Sequence, residues 1–233
     1  MAGAIRVSVE DKRFPGTGKS VIKGLNLTLK EGEFTAIIGP SGTGKTTLLR
    51  IMAGLDRRFG GNITGVDSIG MVFQEPRLMP WLNVLDNICL VADDPSTDDV
   101  KARGRALLEQ VGLADWMSAY PHALSGGMQR RAALARALMP GPRLILMDEP
   151  LVSLDKGAAK ELVELITALW QENNYTIVYV THLVDEAIAM ADRIVFLSGS
   201  PASIAGEVTI PLPHPRTDKD IARVRETVVA AML

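Results

Sequence analysis

Apolar positions along the chain follow two periods, and the two alternate. Leu25, Leu27 and Leu29 are separated by polar residues, the period of two expected of a half-buried strand, and the pattern stops at the turn Glu31-Gly32. Phe34–Ile38, Leu144–Met147, Thr176–Val180 and Ile194–Leu197 are short, nearly continuous apolar runs, the length of strands covered on both faces. Between these runs the spacing changes to three and four. Ala159, Leu162, Val163, Ile166 and Leu169 share one face of a helix predicted over 156–172, and a helix over 45–53 opens just after a glycine-rich turn. From Glu75 to Pro142 the strand signal is absent and Ala- and Leu-rich helical sequence takes over, ending in Pro140-Gly141-Pro142. A Pro-rich turn region at 211–215 precedes one exposed helix over 218–233. Strands alternating with helices predict an α/β fold with a largely parallel sheet. The expected organisation is a single domain over 1–233. Its core is built from about 1–74 and 143–210, its inserted helical subdomain from about 75–142, and its tail from about 211–233.

Composition narrows the function classes. With 25 Lys and Arg against 27 Asp and Glu, the formal charge is −2, which argues against a nucleic-acid partner. The single cysteine, Cys89, excludes a disulfide framework or a multi-cysteine zinc site and fits a reducing compartment. No run reaches the 18 apolar residues of a membrane span, and the N-terminus lacks the basic and apolar regions of a secretory signal. The expected location is therefore cytoplasmic, and any work at a membrane requires a partner.

The chemistry is carried first by Gly39-Pro40-Ser41-Gly42-Thr43-Gly44-Lys45-Thr46, a full match to G-x-x-x-x-G-K-[ST] between a predicted strand and a predicted helix. Glycines let backbone N–H groups turn inward around phosphate oxygens, and a helix N-terminus adds partial positive charge. Lys45 is placed to reach the β- and γ-phosphates of ATP and the Thr46 hydroxyl to ligate Mg²⁺, with Thr47 next in the binding set. Upstream, Gly16-Thr17-Gly18-Lys19-Ser20 copies the second half of the motif, but Arg13 stands where its first glycine belongs. With no strand expected to run into it and no helix after it, coincidence is the better reading. The second element is Leu144–Met147 followed by Asp148 and Glu149. Asp148 suits Mg²⁺ coordination, and Glu149 suits polarising the water that attacks the γ-phosphate.

Leu124-Ser125-Gly126-Gly127-Met128-Gln129 is a second glycine turn ahead of an Ala-rich helix over 128–139. With this segment the sequence resembles the ATP-binding-cassette (ABC) ATPase family over nearly the whole chain. The resemblance implies a P-loop NTPase (RecA-like) core with an antiparallel β-layer and an inserted helical subdomain, and it assigns roles. Gln74 would sense Mg²⁺ and the attacking water. Ser125, Gly126 and Gly127 would contact the γ-phosphate of ATP held on a second copy, in a head-to-tail dimer that sandwiches two ATP molecules. Asp155 would lie at the dimer interface, His182 would hold the γ-phosphate, and Phe14 would stack on adenine. His122 and His214 have no role by this pattern. Met128 stands where glutamine is commonest, Val152 and Ser153 replace the commoner Ser-Ala before Leu154-Asp155, and the stretch 56–71 is short, implying a trimmed antiparallel layer.

Leu78, Met79, Trp81 and Leu82 lie in a stretch broken by Pro76 and Pro80. They either pack into the helical subdomain or form a groove for a short helix of a membrane-embedded permease. Met79-Pro80-Trp81 and Val84-Leu85-Asp86-Asn87 resemble the importer ATPases of the nitrate/sulfonate/taurine class. That resemblance implies a bacterial importer of small anionic solutes, peripheral on the cytoplasmic face of the inner membrane, working with permease subunits and indirectly with a substrate-binding protein. A lipid-trafficking or export cassette, or a soluble ABC ATPase of a cytosolic assembly machine, remains the alternative.

Overall fold

The computed structural model describes residues 4–16 and 18–232; Thr17 of the upstream half-motif and the final residue of the expected tail helix lie outside them. In chain order the elements are β1 (Ile5–Arg13), β2 (Ser20–Leu29), β3 (Phe34–Ile38), α1 (Lys45–Met52), β4 (Gly60–Thr64), β5 (Ile69–Val72), α2 (Val84–Cys89), α3 (Asp98–Gln110), α4 (Gly126–Leu138), β6 (Leu144–Asp148), α5 (Lys156–Asn173), β7 (Thr176–Thr181), α6 (Val184–Met190), β8 (Arg193–Ser198), β9 (Ser203–Thr209) and α7 (Asp218–Ala230). Two compact units contain them, Met1–Val66 with Leu169–Leu233, and Asp67–Ala168.

In the first unit, β1 pairs antiparallel with β2 and with β4, giving the order β2-β1-β4. Ile5, Val7 and Val9 of β1 and Leu25, Leu27 and Leu29 of β2 are all buried, as the period of two requires when one sheet face is covered. The inward row of β1 continues through Lys12, whose side chain is 2% exposed. Its ammonium donates to the Arg58 carbonyl at 2.9 Å and pairs with Asp56 at 2.5 Å. The Lys12 ammonium holds the Asp56 carboxyl below its ordinary value, helped by the Arg58 N–H and opposed by burial. Pairing is what makes this buried cation tolerable. β1 ends at Arg13 and β2 begins at Ser20, so a strand does run up to the upstream half-motif, but β2 follows it and no helix does.

The same unit holds a parallel group in which β3 pairs with β7 and with β8, and β9 returns antiparallel on β8. Every residue of β3 and of β7 is buried. The strand ends are tied by polar contacts. Asp192 accepts the Phe34 N–H at 3.2 Å, and Arg193 donates to Glu33 at 2.9 Å and Glu207 at 3.0 Å. Helix α7 opens with a capping box between Thr217 and Asp220 and buries only Val228, as expected for an exposed tail helix.

The second unit holds β5 and β6 in parallel, with Ile69 opposite Leu144 and Val72 opposite Met147. Gly70 is required there, because a Cβ would lie 2.3 Å from the Ala137 carbonyl oxygen. Helices α2, α3 and α4 fill the stretch 84–138, and no strand is found between β5 and β6 among the described residues. The unit extends beyond the helical stretch 75–142, because β5, β6 and the first part of α5 cluster with these helices.

Candidate active site

The first unit carries the phosphate cradle. β3 ends at Ile38, and the chain turns through 39–44 into α1. Gly44 is the N-cap with φ of 101°, a left-handed geometry that a side chain rarely adopts. Gly39 is needed for a different reason. A Cβ there would lie 2.6 Å from the Leu197 carbonyl oxygen and 3.0 Å from the Thr43 Oγ1, so the loop can pass β8 only without a side chain. No side chain caps α1, whose first intrahelical bond runs from the Leu48 N–H to the Gly44 carbonyl at 2.9 Å. The N–H groups of the first turn therefore have no acceptor within the helix, and they face an anion favourably. Lys45 is buried, its ammonium donating to the carbonyls of Gly39 at 2.8 Å and Pro40 at 3.1 Å. The lysine thus bridges the start of its own loop and presents a cation inside the cradle. Thr43 is buried, with its hydroxyl donating to the Pro40 carbonyl, while Ser41, Gly42 and Thr46 are exposed and Thr47 is half-buried.

His182 follows β7 in the same unit and is exposed. What holds the strand end is Glu186 on α6, absent from the sequence-derived set. Its Oε2 accepts the Tyr179 hydroxyl at 2.6 Å and the Thr181 hydroxyl at 2.7 Å. With its proton committed to Glu186, the Thr181 oxygen accepts the Leu183 N–H at 3.0 Å. His182 is thereby bracketed between two fixed residues. Phe14, just past β1, is 40% exposed and has the Lys12 ammonium 5.0 Å from its ring centroid. A cleft of about 670 Å³ runs along Lys12, Phe14, Arg50, Leu55 and Arg58.

The second unit carries the remaining residues. Gln74 is exposed two residues beyond β5. Asp148 is 5% exposed at the end of β6, and Glu149 follows with φ of 44°. Arg77 and Ser153 also adopt positive φ, at 47° and 66°, so three non-glycine residues of this unit sit in a sparsely populated backbone region. Ser125 caps α4, its hydroxyl accepting the Met128 N–H at 3.3 Å. The two glycines that follow start the helix, and a Cβ on Gly127 would lie 3.3 Å from the Ala158 Cβ. The helix begins at Gly126, two residues before the expected start at 128, because the Ser125 cap draws both glycines into its first turn. Asp155 accepts the N–H groups of Gly157 and Ala158, both at 3.0 Å, at the start of α5.

The Pro-broken stretch has a buried anchor. Asn87 is fully buried; it accepts the Met79 N–H at 2.6 Å and donates to the carbonyls of Met79, Leu82 and Asn83 at 3.0–3.1 Å. This side chain anchors the loop 79–83, in which Trp81 is 70% exposed while Met79 and Leu82, like the preceding Leu78, are half-buried. Among the described residues no group of three His, Cys, Asp or Glu could hold a metal ion, and no helix is long and apolar enough to cross a membrane.

Comparison with known proteins identifies the family. The family model described as ABC transporter matches residues 22–152. The aliphatic sulfonates import ATP-binding protein SsuB of Mycobacterium sp. (strain MCS) is 41% identical over 234 residues, covering 100% of this chain and 95% of the relative. SsuB 1 of Xanthomonas axonopodis pv. citri (strain 306) is 38% identical, covering 99% and 97%. Among solved structures, the dimeric ATP-binding cassette MJ0796 in a post-hydrolysis state bound to ADP and Pi superposes with a TM-score of 0.74 at 30% identity, covering 90% of this chain and 99% of that one. The family match spans more than half of the chain, and the relatives align over nearly all of it. The chain belongs to the ABC transporter family and is an ATP-binding, ATP-hydrolysing cassette.

Proposed function

We propose that this cassette powers a bacterial importer of small anionic solutes of the sulfonate type, working from the cytoplasmic face of the inner membrane as a head-to-tail dimer on permease subunits. One observation carries the reading: the named relatives are sulfonate import subunits aligned over the whole chain. Trp81, exposed on the loop that Asn87 anchors, supports a permease contact. We assign the helices between about 75 and 142 to an inserted helical subdomain, the segments of about 1–74 and 143–210 to the core, and 211–233 to the tail. A substrate-binding protein would deliver the solute to the permease.

Within this reading the cradle N–H groups of 39–47 and the Lys45 ammonium bind the phosphates of ATP, and Phe14 offers a ring face to adenine. Thr46, Asp148 and Gln74 offer only oxygen donors, a set that fits Mg²⁺. When bound, that ion would neutralise charge on the β- and γ-phosphates. Glu149 takes the proton of the attacking water, and His182 donates to the γ-phosphate. Ser125, Gly126 and Gly127 of a second copy would complete the γ-phosphate contacts, with Asp155 at the junction. ATP then favours the closed dimer because only that state satisfies the γ-phosphate from both sides.

The test is the Glu149→Gln variant, tagged, expressed in its native cell and recovered from solubilised membranes with ATP present. The expected result is an ATP-dependent dimer without turnover that carries a multi-span permease, whose wild-type complex is stimulated by sulfonate-loaded binding protein. Wild-type turnover by the variant would sink the role of Glu149. A soluble partner in place of a permease would sink the transport reading.

A further inference from the structure

Helix α4 begins at the Ser125 cap and carries two buried arginines that donate to backbone carbonyls of neighbouring turns. Arg136 is 8% exposed and donates through Nη1 to the Arg77 carbonyl and through Nη2 to the Pro76 carbonyl, both at 2.7 Å. Arg77 is one of the positive-φ residues, with φ of 47°, and its guanidinium lies over the Phe73 ring at 4.5 Å. Phe73 and Pro76 flank the pair Gln74-Glu75. The fork of Arg136 therefore grips a strained turn two residues beyond Gln74, and it does so from a helix whose first residue follows Ser125. Arg130, six residues earlier and also 8% exposed, holds a second turn through one bond. It donates to the Val152 carbonyl at 2.8 Å, immediately before the positive-φ Ser153. Strained backbone persists only where its surroundings over-determine it, and at both turns a guanidinium from the same helix supplies one of the constraints.

We propose that Arg136 is a positioning residue for ATP hydrolysis: its two hydrogen bonds make the Gln74 turn and the Ser125 helix move as one body. The inference rests on the roles given above to Gln74 and Ser125, and adds the part that joins them. Ser125 and Arg136 are 11 residues apart on α4, about 16 Å of helix, so a rigid helix carries a shift at either end to the other. The segment that leads from the gripped turn is the loop of Leu78–Leu82 with exposed Trp81, so a push on that loop reaches the Ser125-Gly126-Gly127 turn through the same guanidinium. A fork with two donors at fixed angles sets orientation as well as distance, which a lysine at this position cannot do.

The experiment is a double-mutant cycle on the full chain, comparing wild type, Gln74→Ala, Arg136→Met and the double variant. Arg136→Lys serves as the conservative variant, and kcat, KM, ATP dissociation constant and melting temperature are measured for each. Arg136→Met is expected to lower kcat about ten- to a hundredfold while the ATP dissociation constant changes less than about twofold. Arg136→Lys is expected to restore part of the loss. In the Gln74→Ala background the second substitution is expected to add almost nothing, because the two residues act as a unit. Wild-type kcat in Arg136→Met, or effects that multiply in the double variant, would overturn the proposal and reduce Arg136 to packing. Should Arg136→Met fail to fold, the cycle is run with Arg136→Lys and read in the same way. Gln74→Ala at wild-type turnover is a separate failure, since it removes the assignment of the glutamine itself.

Discussion

Glu186 offers the sharpest test of how the strand end before His182 is held. Two hydroxyls, of Tyr179 and Thr181, converge on its Oε2 at 2.6 and 2.7 Å, and Tyr179 and Thr181 are both buried. A hydrogen bond to a charged group contributes about 1.5–3 kcal/mol, and a buried hydroxyl left without its acceptor costs about 1–3 kcal/mol. Glu186 is half-buried, so water recovers part of that loss; we work with about 2 kcal/mol in total for Glu186→Ala. For a chain of this length each kcal/mol is worth roughly 2–4 °C of melting temperature, giving a fall of about 4–8 °C. The functional effect follows from Thr181. Once its hydroxyl is no longer committed to Glu186, its oxygen ceases to be a fixed acceptor for the Leu183 N–H, and His182 loses its register. On the proposal that His182 holds the γ-phosphate for hydrolysis, the expected kinetic signature is a lower kcat with little change in KM. Glu186→Gln keeps the shape and one good acceptor and is expected to lie between wild type and alanine in both readouts. Thermal unfolding with steady-state ATPase kinetics on the three proteins checks this. A Glu186→Ala variant with wild-type kcat would refute the bracketing of His182, even if the melting temperature fell as expected.

Three further outcomes follow from particular contacts. Gly39→Ala places a Cβ 2.6 Å from a strand carbonyl that cannot move aside; the overpacking costs about 1–3 kcal/mol, and the loss shows as a lower melting temperature together with weaker ATP binding, whereas unchanged ATP affinity would mean the cradle tolerates the shift. Asp56, held below its ordinary value first by the Lys12 hydrogen bond, contributes stability that is present above the unfolded carboxyl value of about 3.9 and is lost as pH falls through the lower folded value. Asp56→Asn therefore melts lower than wild type at pH 7, and the difference closes in acid on a pH series of unfolding curves; a constant difference would mean the ion pair does not contribute. Trp81→Ala, at a 70% exposed side chain, is expected to leave ATP affinity intact and move the melting temperature by less than about 2 °C while weakening permease capture in a pull-down. A large thermal loss would instead mean that Trp81 packs.

The parts of this molecule that can be read from its residues are those whose physics is local. Phe34–Ile38 reads as a buried strand because every position is covered, and 39–46 reads as a phosphate cradle because one short loop must supply glycine, lysine and threonine in sequence. The exposed tail helix and the long amphipathic α5 follow from spacing alone in the same way. β9 does not, since its edge position exposes alternate residues and leaves the short polar run Ser203–Thr209 without an apolar signature. Nor does the inward Lys12 of β1, which a period-two reading places outside; its burial depends on Asp56, 44 residues away, and no local pattern announces that pairing. Glu186 and Arg136 are illegible for the same reason. One is an ordinary acidic residue in the first turn of a helix, and the other an arginine in an Ala-rich helix where a solvated face is the natural expectation. What distinguishes them is the set of carbonyls and hydroxyls that other segments bring within 2.7 Å. Residues that touch a phosphate must be of a given type at a given spacing, so the chemistry writes them into a motif. A residue that only holds such a group in place can come from any element that passes nearby, and its position is specified by the fold alone.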